Sequence, residues 1–348
     1  MTKRCSLVAA VCAAALALSS CASWDTPIEP VAVEATGDPR TTQGASIISQ
    51  VPEVEPVTAT PQHLLPVSLT DADGYDVEVT DTSRILALDL YGTYTKTLRG
   101  LGLGDNIIGR TVSSDEPSLA DRPVVTENGH SLNVEAILNL APSLVIVDHS
   151  VGPQEAIDQI RAAGVTTVVM EPQRSIDSIG ADIETLAAVV GEPEAGAELA
   201  ERSERELQQA KEAIAKVVPE QPLRMSFLYA RGTGGVFYLL GEEAATDDLI
   251  GALGGVDVNT QNGIGAPSPA SPEALAEVNP EVFVMMTGGL KSTGDIEGLL
   301  QRPGVAQTIA GQNRRVLALP DGDSLAFGPQ TGQLLLSAAN ALYGGQQS

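Results

Sequence analysis

The chain has 348 residues, enough for two domains, and 45 acidic side chains against 20 basic ones. A formal net charge of −25 repels phosphate backbones and anionic headgroups, so nucleic acid is excluded as a partner and an acidic lipid surface is disfavoured. An apolar fraction of 43% is ordinary and supports a sizeable core.

Residues 1–20 read as a secretory signal. Lys3 and Arg4 form the charged start, and Leu7 to Leu18 an apolar middle too short for a membrane span. The segment ends Leu18-Ser19-Ser20-Cys21, which resembles the bacterial lipobox, whose cysteine is lipidated and becomes the mature N-terminus. The plainer alternative is an ordinary cleavage site followed by a chance cysteine. A lone thiol is disfavoured in an oxidising compartment, which favours lipidation of Cys21. Cys5 and Cys12 leave with the signal, so no disulfide and no thiolate metal site is expected. Residues 21–65 are rich in Pro, Thr, Glu, Val and Ala without a period, and read as a disordered linker in which His63 is solvated.

Order is expected from residue 66. Asp73-Gly74 separates 66–70 from 75–79 as a hairpin. Strand 84–89, helix 91–101, strand 107–109 and a short strand at 124–125 follow. Then come helix 134–140, strand 144–148, helix 153–162, strand 165–169 and helix 175–190. Strands alternating with helices imply a mainly parallel sheet covered on both faces. Residues 66–193 thus form an N-terminal α/β lobe. Residues 194–218 carry no proline and alternate in charge, with Leu199, Leu207, Ile214 and Val217 among small alanines. A long helix polar on most sides bridges two bodies rather than filling one core. Residues 219–348 repeat the α/β pattern: strands 224–230 and 236–240, helix 244–253, strand 282–286, helix 295–300, strand 316–319 and helix 329–343.

A short pattern occurs once on each side of the bridge. Glu135 to Pro142 is followed by Leu144–Val147, and Glu273 to Pro280 by Val282–Met285, with glutamate and proline equally spaced. Each copy reads as a helix stopped by proline and leading into a buried strand, with Asn133 and Ser271 in the capping place. The expected architecture is two Rossmann-like α/β lobes with mainly parallel sheets, one long bridging helix, and a ligand cleft between the lobes.

Enzyme signatures are absent: no Walker loop, nucleophile elbow, HExxH or CxxC pair occurs. Three histidines far apart give little support for a zinc or manganese carrier. A two-lobed, tethered chain without catalytic apparatus points to a binding protein with its ligand between the lobes. Two segments suit that cleft. Glu127-Asn-Gly-His-Ser131 places His130 on a loop beside a flexible Asn-Gly. Tyr229-Ala-Arg231 places a phenol and a guanidinium on one face of a strand end. An arginine beside a phenol favours the phenolate, a hard donor for ferric iron, and haem iron accepts His or Tyr axially.

On these residues the chain resembles the class III (cluster A-II) substrate-binding proteins of ABC importers, and closely their haemin-binding lipoproteins. The resemblance covers about residues 66–348. It rests on the two glutamate–proline segments, the bridging helix, and the ENGHS and YARG motifs. It implies an extracytoplasmic, lipid-anchored monomer that carries haem b as transported ligand to an ABC permease and its ATPase subunits, and not an enzyme. It implies His130 and Tyr229 as axial iron ligands, Arg231 as support for the tyrosine, and Glu135 and Glu273 as permease-docking residues. Met286, at the end of its strand, could contact haem from the cleft wall. Taken singly each residue has a plainer account. His130 is then a surface histidine, Tyr229 and Met286 core residues, and Arg231 an ion-pair partner. Glu135 and Glu273 would be carboxylates favoured by a helix start. His149 is expected in solvent, and Tyr91, Tyr94 and Tyr238 either line the cleft or pack internally. A ferric-siderophore or cobalamin receptor would share the fold, tether and glutamates, and a lipoprotein enzyme or adhesion module remains a different class of answer.

Overall fold

The computed structural model describes Val33, Ala35 and residues 37–344. The expected signal segment, residues 1–20, and Cys21 lie outside the described residues.

The N-terminal lobe is organised by two apolar runs. Ile85–Leu88 and Leu144–Asp148 are buried along their whole length, as strands covered on both faces must be. They pair in parallel, and Ile107–Gly109 and Thr167–Met170 extend the sheet on either side, also in parallel. Alternation divides each strand between two cores. Ile85, Ala87, Leu144, Ile146 and Val168 face the core shared with helix Ile179–Val189. Leu86, Leu88, Val145, Val147 and Val169 meet Ile137, Ile157 and Ile160 on the other side.

The C-terminal lobe holds a seven-stranded sheet, ordered Ala45–Ile47, Val316–Leu319, Val282–Met286, Arg224–Arg231, Val236–Leu240 and Ser268–Pro269, with Val256–Asp257 beside the start of the fourth. The first four are mutually parallel; the Arg224 and Val236 strands form an antiparallel hairpin. The eight-residue strand Arg224–Arg231 is thus central, and its carboxyl end carries Tyr229 and Arg231. Ligands of open α/β sheets bind beyond such ends.

The two glutamate–proline segments fold alike. Asn133 Oδ1 accepts from the Ala136 N–H (2.9 Å), and Ser271 Oγ from the Ala274 N–H (3.2 Å). Six residues after each glutamate the chain turns left-handed, at Ala141 (φ 45°) and Asn279 (φ 36°), and a proline follows. Proline cannot continue a helix, so both helices end there and release the chain into a buried strand.

The bridging helix runs Pro193–Ala215, about 34 Å at 1.5 Å per residue. It is less polar than its composition suggests. Leu199, Ser203, Leu207, Ala210 and Ile214 form one buried stripe, against helices Ile179–Val189 and Thr331–Tyr343. Leu199 fits over Gly100, where a Cβ would lie 2.6 Å from its Cδ2.

One expectation is corrected. Residues 37–65 do not behave as a tether. Ala45–Ile47 adds a parallel strand to the edge of the C-terminal sheet. Val51 and Val54 are buried, Arg99 Nε donates to the Val54 carbonyl (3.0 Å), and Arg202 donates to the Glu55 carbonyl (2.6 Å). Glu192 accepts from the Gln62 and His63 N–H groups (2.9 and 2.7 Å). The segment therefore starts in one lobe's sheet, crosses the bridging helix and enters the other lobe. It is a second connection between them. Its prolines suit an extended crossing that takes its hydrogen bonds from side chains.

Candidate functional site in the interlobe cleft

A cavity of about 710 Å³ lies between the lobes. The N-terminal wall comprises Leu90, Tyr91, Val112, Ser113, Asn128 and Gly129; the C-terminal wall includes Tyr229, Arg231, Tyr238, Met286, Asp321 and Leu325. Its size and largely apolar lining with a few polar groups suit a sizeable organic ligand.

The C-terminal side is set by strand register. Tyr229 lies directly opposite Tyr238 across the hairpin, so two phenols share one face. Neither hydroxyl has a hydrogen-bond partner among the described residues. Arg231, two residues on, falls on the same face. Its guanidinium carbon stands 5.0 Å from the centroid of the Tyr229 ring, over the ring rather than at the hydroxyl. Its Nη2 forms an ion pair with Asp321 (2.8 Å) and reaches Met286 Sδ (3.1 Å). Tyr229, Arg231 and Met286, all expected at the site, are brought together here.

The N-terminal side is set by a turn. Strands Thr126–Glu127 and Ser131–Leu132 form a small hairpin around Asn128-Gly129-His130. Asn128 (φ 52°) and Gly129 (φ 90°) are both left-handed, the conformation asparagine and glycine adopt most cheaply. Asn128 and Gly129 wall the cavity; His130 stands beside them, and its ring is not part of the wall. The His130 carbonyl accepts from the Gly152 N–H (3.0 Å), which ties the turn to the lobe, while the imidazole has no partner among the described residues.

Other candidates separate cleanly. Tyr91 faces the cavity with Arg174 stacked on its ring (4.1 Å), and burial raises its phenol above the ordinary value despite that cation. It is a neutral wall, not an oxyanion. Tyr94 is buried and donates to Asp148 (2.7 Å), so it packs internally. His149 is exposed and pairs with Asp73 (2.8 Å). His63 lies beside Glu192 (3.4 Å), away from the cavity wall. Glu135 and Glu273 are exposed at the second positions of helices Val134–Asn139 and Pro272–Val278, and neither carboxylate has an ion-pair partner among the described residues.

Residues 89–322 match the family described as periplasmic binding protein. The chain belongs to that family. Among solved structures, the haem-binding protein HmuT superposes with a TM-score of 0.87 at 64% identity, covering 88% of this chain and 99% of that one. Other HmuT structures are of alanine variants at a histidine, a tyrosine and an arginine. The periplasmic haem-binding protein RhuT of Roseiflexus sp. RS-1 is 35% identical, covers 76% of this chain and 99% of its own, and has a TM-score of 0.70. Among curated relatives, the vitamin B12-binding protein of Yersinia pestis (strain Pestoides F) is 26% identical over 57% of this chain and 68% of its own length. The two-lobed, mainly parallel α/β architecture read from the sequence is that of these relatives.

Asp321 is a site residue that sequence reasoning misses. It follows the buried strand Val316–Leu319 in the turn Pro320-Asp-Gly-Asp323. Its place just beyond a strand's carboxyl end is the available signal.

Proposed function

We propose that this protein captures ferric haem between its lobes and delivers it to an ABC permease. Tyr229 coordinates the iron from the C-terminal lobe and His130 from the N-terminal lobe. Arg231 supports the tyrosine, and Met286 contacts the ring. The observation that carries this is a single cavity walled by Tyr229, Arg231 and Met286 on one side and by the turn bearing His130 on the other. Spacing supports the same residues. In the HmuT variants the substituted tyrosine lies 99 positions after the histidine and the arginine two after the tyrosine, as here (229 − 130 = 99; 231 − 229 = 2). A rotation of the His130 side chain brings it over the cavity when the iron arrives.

A cobalamin receptor has one argument, the vitamin B12-binding relatives, which match less of the chain at lower identity. Hemin titration separates the two. Wild type should give a Soret band that changes in Tyr229→Ala and in His130→Ala. Unchanged spectra in both variants, or saturable cyanocobalamin binding without hemin binding, would sink the haem reading.

Delivery uses Glu135 and Glu273, whose unpaired carboxylates stand on matched helices of the two lobes and meet basic groups of the permease. Replacing both with alanine should abolish uptake while hemin binding stays normal. Lipid attachment at Cys21 holds the monomer at the outer face of the cytoplasmic membrane, beside the permease and its ATPase subunits. Labelled palmitate incorporated equally by wild type and Cys21→Ala would refute that anchor.

A further inference from the structure

Arg231 does not donate to the Tyr229 hydroxyl. It is held elsewhere. Its Nη2 pairs with Asp321 Oδ2 (2.8 Å), and Asp321 Oδ1 is fixed in turn by the Gly288 N–H (2.6 Å). Two glycines make this possible. A Cβ at Gly288 would lie 2.7 Å from Asp321 Oδ2, and one at Gly289 would lie 2.9 Å from Arg231 Nη1. Arg231 Nη1 is buried without a partner, so the guanidinium keeps donors in reserve. Asp321 also lines the cavity, so its charge belongs to the site.

We propose that Asp321 is a positioning residue for the iron-binding tyrosine: it holds Arg231 flat over the Tyr229 ring and compensates its charge, limiting how strongly the guanidinium draws on the phenolate. The proposal rests on the haem reading above. Ferric porphyrin carries one net positive charge, which a phenolate neutralises. An uncompensated guanidinium close by adds a second cation to the site and stabilises the ferrous state relative to the ferric. Released from Asp321, Arg231 can also donate to the phenolate oxygen. That withdraws electron density from the iron–oxygen bond and loosens it. With Asp321 in place the iron stays ferric and firmly held; without it, Arg231 becomes an aid to release.

The test is Asp321→Asn, with Asp321→Glu as the conservative rescue, read in hemin-loaded protein. Asp321→Asn should shift the phenolate-to-iron charge-transfer band, raise the iron reduction potential and speed haem loss to apomyoglobin by about tenfold, the lower end for an outer-shell partner. Asp321→Glu should restore the potential towards wild type. In an Arg231→Ala background, Asp321→Asn should have little further effect on the band or the loss rate, because there the carboxylate acts through the guanidinium, while its own charge still bears on the potential. Wild-type band, potential and loss rate in Asp321→Asn would overturn the proposal, as would full effects on the band and the loss rate in the Arg231→Ala background. Should Asp321→Asn not fold, Gly288→Ala displaces the same carboxylate and must give the same shifts. Tyr229→Phe runs alongside. If it leaves the spectrum unchanged, tyrosine ligation itself fails; if it changes the spectrum while Asp321→Asn does not, only the positioning role fails.

Discussion

The two walls of the cleft are built on different principles. Tyr229, Arg231 and Met286 stand on adjacent parallel strands, where register with Val282–Met286 and with the Val236–Leu240 hairpin leaves each side chain one direction. His130 stands on a three-residue turn between two two-residue strands, held to its lobe by a few backbone hydrogen bonds, those of His130 and Leu132 with Gly152 and that of Asn133 with Val125. A residue inside a sheet inherits its place from many neighbours. A residue on a short turn inherits it from few, and can adapt. On the proposed ligation, the tyrosine would therefore fix where iron sits, and the histidine would come to it. The largest expected effect follows. Tyr229→Ala should weaken hemin binding by about a hundredfold, roughly 2.7 kcal/mol, and His130→Ala by only about tenfold. Titrations showing equal losses, or the larger loss at His130, would break the contrast.

The same contrast bears on how the lobes are joined. The N-terminal strand Ala45–Ile47 is an edge strand held by a buried arginine. Arg315 donates to Ser46 Oγ (2.8 Å) and to the Leu342 carbonyl (3.1 Å), clamping the first strand to the last helix. It has no carboxylate partner among the described residues, and burial lowers its pKa. Arg315→Met keeps the volume and loses these bonds. It should cost about 2 kcal/mol, the scale of one charge-assisted hydrogen bond. Amide exchange at residues 45–47 should quicken far more than in strand 282–286. Uniform protection across both strands would show that the crossing segment is not tied down here.

Much of this is legible in the sequence. Runs such as Leu144–Asp148 and Val282–Met286 announce buried parallel strands, because a short apolar run just after a helix stop suits a strand covered on both faces. The glutamate–proline segments announce a repeat because capping and termination leave their residues at fixed distances. Tyr229, Arg231 and Met286 stand out as strand-end residues, and the structure assembles them. What stays hidden has a common cause. Residues 37–65 gain their order from Arg99, Glu192 and Arg202, far away in the chain, so composition alone reads them as linker. Asp321 matters through Arg231, ninety positions earlier in sequence (321 − 231 = 90), and no local pattern records that pairing.

A smaller effect concerns another contact between the lobes. Buried Lys96 reaches Glu116 (3.8 Å) on its own lobe and Asp323 (3.6 Å) on the other. Burial, with Asp115 and Glu116 nearby and Lys96 opposing, pushes Asp323 up to about 6 from an ordinary 3.8. Its folded pKa lies above its unfolded one, so between those values the folded state binds the extra proton. Its contribution to stability is fully present below about pH 4 and is lost as pH rises through about 6. Asp323→Asn should flatten the denaturation midpoint across that window; an unchanged slope would place the titration elsewhere.

The smallest effect tests what the cleft reads. Among the described residues lining the cavity, Arg231 carries the only positive charge, and Asp321 already compensates it. Hemin brings two propionates into a protein of net charge −25, so burying them against these walls would leave both unpaired. The orientation expected from this charge balance turns the propionate edge to solvent and leaves recognition to the iron and the apolar ring. Masking the propionates then removes little. Hemin dimethyl ester should bind within about threefold of hemin, under about 0.7 kcal/mol, and salt should change that ratio hardly at all. A loss beyond about tenfold would mean that a cation reaches the propionates when the lobes close, and the C-terminal wall would then not be the sole source of charge at the site.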